Sequence, residues 1–203
     1  GSLTIQNGGI LNIGNSGVAR TLTVAGNVNN TGTLQYATAA AHAVNIGGTF
    51  TINGGGIFTS AAVAGAKTLG VTGLISNAGT FRFAGTAGMT VTATGGITNS
   101  GTFDVNTVSN VAHTLNIGGD LGNTGTVLLA SDADSLVNTT FNGTVQAVGG
   151  SAGATFNNVT TAATTTLTLA QPQVISGTLT LGGGTTLNAG ALNHAIAGNF
   201  TNN

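Results

Sequence analysis

Asn77-Ala78-Gly79-Thr80-Phe81-Arg82-Phe83 is followed 22 residues later by Asn99-Ser100-Gly101-Thr102-Phe103-Asp104-Val105, the same phrase with its side chains conservatively exchanged. It occurs earlier as Asn30-Thr31-Gly32-Thr33-Leu34-Gln35-Tyr36 and later as Asn123-Thr124-Gly125-Thr126-Val127. Asn53-Gly54-Gly55-Gly56-Ile57 reads as a degenerate copy. Counted on the fourth position, Thr33, Gly56, Thr80, Thr102 and Thr126 are spaced by 23, 24, 22 and 24 residues. A fixed period in the range of about 20 to 50 residues marks a stacked-repeat architecture.

A second phrase runs between these copies: Thr21-Leu22-Thr23-Val24, Ala43-Val44-Asn45-Ile46, Thr68-Leu69-Gly70-Val71, Thr90-Val91-Thr92-Ala93 and Thr114-Leu115-Asn116-Ile117. Each alternates apolar with small or polar residues and then meets a turn, which is the signature of a half-buried strand. With at least two strands per period and no helical segment between them, the pattern predicts an all-β, right-handed parallel β-helix, a β-solenoid of about nine coils of roughly 22 to 24 residues. At about 4.8 Å per coil the rod would be roughly 43 Å long. Period-two alternation sends Leu22, Val24, Val44, Ile46, Phe81, Phe83, Leu115 and Ile117 into the core and ladders of Thr, Asn and Gln outward.

One segment spans residues 1–203, regular to about 130 and irregular over about 131–176, where the intervals become 18 and 34, then regular again over 177–203. The two termini fit each other. Gly198-Asn199-Phe200-Thr201-Asn202-Asn203 reads on into Gly1-Ser2-Leu3-Thr4-Ile5 as one motif, matching the phrase that starts at Gly26. Ser2-Leu3-Thr4-Ile5 with Leu11 also resembles Thr178-Leu179-Thr180-Leu181 with Leu187. The expectation is a head-to-tail interface of Gly1, Ser2, Leu3, Ile5, Leu11, Ile196, Phe200, Asn202 and Asn203, joining separate copies or successive repeats of one long chain. Such a contact is heterologous and does not close, so it propagates as a filament.

Composition narrows the function. Charged residues are 3% of the chain, against about 25% in ordinary soluble domains. The inventory is Arg20, Lys67 and Arg82 against Asp104, Asp120, Asp132 and Asp134, with His42, His113 and His194. So little repulsion between copies favours association, and so few cations argue against a nucleic-acid partner. Cysteine is absent, which excludes disulfides and thiolate metal sites. No basic segment precedes an apolar run and no stretch approaches about 18 apolar residues, so neither a signal peptide nor membrane insertion is expected.

The Gly-Asn-x-x-Asn-x-Gly-Thr phrase of residues 26–33, repeated with Gly96 as its second residue over residues 95–102, resembles the repeats of large secreted bacterial adhesins of the filamentous-haemagglutinin and autotransporter type. The resemblance covers nearly the whole segment. It implies a β-helical stalk at the cell surface or outside the cell, exported by other parts of its chain, with glycans or other surface material as further partners.

Four candidate chemistries can be weighed on the residues. Arg20, His42, Lys67 and His113, with Met89 breaking the column, fall just before the second phrase; they read either as a strip for anionic glycan or metal, or as a roomy corner for long side chains. Arg and Lys are poor metal ligands, which favours the corner. Gln35, Arg82 and Asp104 share an outward column in which Arg82 and Asp104 can pair, but four scattered aspartates do not supply a catalytic groove, so no enzyme activity is expected. Asp132 and Asp134 are Ca²⁺ candidates by ligand type, yet they lack the Gly-Gly-x-Gly-x-Asp nonapeptide and read more simply as a solvated turn. The Gly182-Gly183-Gly184 run lacks the lysine and helix of a phosphate loop. Neither metal nor cofactor is therefore expected. The sharper alternative is ice binding through Thr-x-Thr pairs, such as Thr21 with Thr23 and Thr178 with Thr180. Its column reads Thr23, Asn45, Gly70, Thr92, Asn116, an interrupted array.

Overall fold

The computed structural model describes residues 1–60, 63–105, 110–130 and 135–203. Its elements are strands throughout, paired in parallel into three sheets. β1 (Leu3–Ile5) opens the first sheet, β2 (Ile10–Ile13) the second and β3 (Thr21–Val24) the third, and every third strand thereafter returns to the same sheet. β25 (Thr186–Asn188), β26 (Ala195–Ile196) and β27 (Phe200–Asn202) complete three sheets of nine strands. The chain is a β-solenoid. Nine stacked strands are separated by eight steps, so it makes about eight turns rather than the nine expected, and internally it rises about 38 Å.

The inward column of the third sheet runs Leu22, Val44, Leu69, Val91, Leu115, Thr139, Val159, Leu179 and Phe200. Its intervals are 22, 25, 22, 24 and 24 residues, then 20, 20 and 21. The coils therefore shorten after Thr139. Within 131–176, β18 (Ser135–Phe141) through β23 (Val174–Ile175) still take their places on the three sheets in turn.

The expected core residues are buried except Leu22, which is half-buried on the open first coil. Aromatic rings stack inside: Phe81 lies parallel to Phe103 at 4.3 Å, with Phe58 4.7 Å away on the other side.

The repeated phrase acquires a physical meaning at the corner between the first and second sheets. Its asparagine points inward, against the expectation that such ladders face solvent: Asn30, Asn77, Asn99 and Asn123 are all buried. Asn77 Nδ2 donates to Asn99 Oδ1 at 2.7 Å, and Asn99 Nδ2 to Asn123 Oδ1 at 2.9 Å. The same amides donate to carbonyls beyond the turn, Asn77 to Thr102 and Asn99 to Thr126. A buried amide must be hydrogen-bonded, and here it secures a corner of two residues. The glycine of the phrase is required by close approach: a Cβ on Gly101 would lie 2.2 Å from the Gly79 carbonyl oxygen of the coil beneath.

Among the first six coils, two corners use other chemistry. After β1, and after β7 (Phe50–Ile52), the turn has four residues, and isoleucine occupies the asparagine position. These turns close on their own backbone, Gly9 N–H donating to Gln6 O and Gly56 N–H to Asn53 O, with Gly8 and Gly55 at positive φ. The degenerate copy is thus one residue out of the expected alignment: Ile57, not Gly56, pairs with Thr33 and Thr80. The asparagine site is Ile52, while Asn53 contacts Thr31 through side chains.

Candidate functional site

The basic column does stack, but from His42 onward it points inward. His42, Lys67, Met89 and His113 are buried on successive coils, and only Arg20 is exposed. An exposed strip for anionic glycan is therefore not formed; the column is the roomy corner. Lys67 Nζ donates to the carbonyls of Ala40, Ala64 and Gly65 at 2.6 to 2.9 Å, matching three donors with three acceptors. Burial holds its pKa below the ordinary lysine value. His42 Nδ1 accepts the Arg20 backbone N–H, and His113 Nδ1 that of Met89, each at 3.0 Å. Desolvation, then the charge of Lys67, lowers the His42 pKa, and desolvation pushes that of His113 down to about 4. His194 repeats the device at another corner, accepting from Gln173 N–H at 3.1 Å.

Arg82 and Asp104 pair as expected, in a bidentate contact at 2.8 and 2.6 Å on the outer face of the second sheet. Gln35 Nε2 donates to Asn12 Oδ1 on the same column. Asp120 accepts the Ala147 backbone N–H in a turn. Asp132 and Asp134 lie outside the described residues. Among the described residues no three His, Asp or Glu side chains gather, and no helix is long and apolar enough to cross a membrane.

The outer face of the third sheet is chemically distinct. One column runs Thr21, Ala43, Thr68, Thr90, Thr114 and Asn138, and continues over Asn158, Thr178 and Asn199. Beside it run Thr23, Asn45, Gly70, Thr92 and Asn116, the interrupted array, which then continues as Thr140, Thr160, Thr180 and Thr201. Every site except Ala43 and Gly70 is Thr or Asn, and none is charged. A shallow groove of about 260 Å³ runs over this column past Thr23, Asn45, Gly70 and Thr92. The sequence pairs Thr178 with Thr180, but Thr140, Thr160 and Thr201 escape a reading of the first repeats alone, because the shorter coils shift the phase.

The predicted interface residues separate to the two ends, with Gly1, Ser2, Leu3, Ile5 and Leu11 on the first coil and Ile196, Phe200, Asn202 and Asn203 on the last. Ile5 is buried and Leu3 and Leu11 are half-buried, whereas Ile196 is 37% and Phe200 55% exposed. Leu22 and Leu187 lie half-buried against the core at the same ends, and the sequence reading did not include them. The terminal alignment needs correction too. Phe200 lies on the third sheet beside Leu179, and Leu3 on the first beside Val28. The terminal motif runs from the third sheet to the first, whereas the phrase it matches runs from the first to the second, and the two look alike because Val28 and Phe200 each follow Gly-Asn. The likeness of residues 2–5 to 178–181 likewise crosses from one sheet to another.

Comparison of the chain with protein-family models, with curated proteins and with solved structures returns no match.

Proposed function

We propose that this β-solenoid is a structural module of an extracellular bacterial fibre or adhesin stalk, continued head-to-tail by further copies or by successive repeats of one polypeptide. The observation that carries the reading is the spacing of the end strands. Between the third sheet and the first, six of the eight turns hold three residues, among them Ala25-Gly26-Asn27, Gly47-Gly48-Thr49, Thr72-Gly73-Leu74 and the turns ending at Gly96 and Asp120, and the last two, 162–165 and 182–185, hold four. Joining β27 to a following β1 leaves three as well, Asn203-Gly1-Ser2. Both halves already follow the path of such a turn. Asn203 N–H donates to Leu181 O, and Gly1 O accepts the Gly26 N–H.

Stacking would pair the open edges, which otherwise present unsatisfied N–H and C=O groups, and would cover Leu187, Ile196 and Phe200. Low charge and the likeness of the repeats to secreted adhesins support placement at the cell surface, with glycans as further contacts. The short coils, filled by side chains, offer a spacer rather than a catalytic groove. Sedimentation of the purified chain over a range of concentrations tests the self-associating form. The wild type should form extended oligomers, and Phe200→Asp should remain monomeric because the carboxylate would be buried without a partner. A wild type and variant with the same sedimentation behaviour would reject association through these ends.

A further inference from the structure

We propose that the outer face of the third sheet is a binding surface for ice. Its rows repeat about every 4.8 Å and its two columns stand about 6.6 Å apart, the strand spacing and the two-residue rise of a parallel sheet. Those distances are of the order of the oxygen repeats in hexagonal ice. The register that sets them is fixed by the in-register core, not by the face itself.

The side chains are suited to the lattice in three ways. Threonine is β-branched, so its χ1 is restricted and its hydroxyl and methyl are placed before any ligand arrives, which lowers the ordering cost of binding. Among the described residues, Thr68, Thr90, Thr114, Thr140, Thr160 and Thr180 make no side-chain hydrogen bond, leaving their donors and acceptors to the solvent side. The face carries no charge, and a neutral crystalline lattice is the occupant that needs none.

The other two faces lack this combination. The second sheet presents the Arg82–Asp104 pair and exposed Ile10 and Ile57. The first presents Val145, 73% exposed, and glycines at 122 and 149 in its outward column. A sugar that stacks on aromatic rings finds none here, since Tyr36 and seven of the eight phenylalanines are buried and Phe200 lies at an end.

The test is thermal hysteresis and ice-crystal shaping, measured on the wild type, on Thr160→Lys/Thr180→Lys, and on Thr98→Lys on the first sheet as a control, with circular dichroism to establish that each is folded. The wild type and the control should depress the freezing point below the melting point and facet the crystal, and the third-sheet variant should behave as buffer. A folded wild type that neither produces hysteresis nor shapes ice overturns the proposal. So does equal activity in the two variants, or retention of the wild type on crystalline cellulose with no effect on ice. Phe200→Asp should leave hysteresis unchanged, so failure of end-to-end assembly and failure of ice binding are distinguishable.

Discussion

At the scale of single residues, the inner asparagine ladder explains its own defects. Asn30 Oδ1 and Asn77 Oδ1 are buried without a hydrogen-bond partner, and each has isoleucine in the position from which a donor would come, Ile5 below Asn30 and Ile52 below Asn77. Ile52→Asn should supply the missing donor to Asn77 and so cost about 1 to 3 kcal/mol less than Ile75→Asn in the same sheet, where nothing waits for an amide; chemical denaturation of the two variants checks this. Phe81→Ala, which empties a site between the stacked ring of Phe103 and the tilted ring of Phe58, should cost about 3 to 5 kcal/mol by the same measurement. The buried histidines set a pH window. His113 is held neutral in the fold, at a pKa of about 4 against 6.5 when unfolded. Its stabilisation is complete above about pH 6.5 and is lost as pH falls towards 4, by roughly 2 to 3 kcal/mol, and His42 acts in the same direction. Denaturation midpoints at pH 7 and pH 4 should differ accordingly, and His113→Gln should flatten the difference.

At the scale of the element, the unit is a strand and the corner that follows it. Strand existence and inward parity were legible for Leu115, Phe81 and their equivalents, because alternation in so short a segment has one reading once a core must form. The parity of Asn77 and Asn99 was not, because asparagine is equally at home on a wet surface and in a hydrogen-bonded corner; the interval-keeping of Asn30, Asn77, Asn99 and Asn123 was the available clue. The corner reading of Lys67 and His113 was legible from their poor fit to a metal or glycan strip, but the carbonyls and the backbone N–H that satisfy them there were not. Coil length misled where the corners changed, as at Gly56 and beyond Thr139. The corner glycines make this testable. Gly101→Ala drives a Cβ into the backbone of the coil beneath, whereas on Gly122 the nearest neighbour of an added Cβ is the Thr98 methyl at 3.9 Å. Gly101→Ala should lose more than about 2 kcal/mol and Gly122→Ala should be neutral or slightly stabilising, as thermal unfolding would show.

At the scale of the whole molecule, the solenoid is quasi-one-dimensional: each coil contacts its neighbours, and stability is a sum of coils and the interfaces between them. Such an object gains from length, and its two ends are where it is weakest. The head-to-tail account makes the junction one more interface of the same kind, a ninth step that brings the axial repeat to about 43 Å per copy. A fusion of two copies with Asn203 joined directly to Gly1 tests this without regard to whether the natural continuation is another chain or more of the same one. Electron cryo-microscopy of that fusion should show a single straight rod of about 82 Å with unbroken coil spacing through the centre. Two rods joined at a hinge, or a gap in the spacing at the junction, would contradict the account.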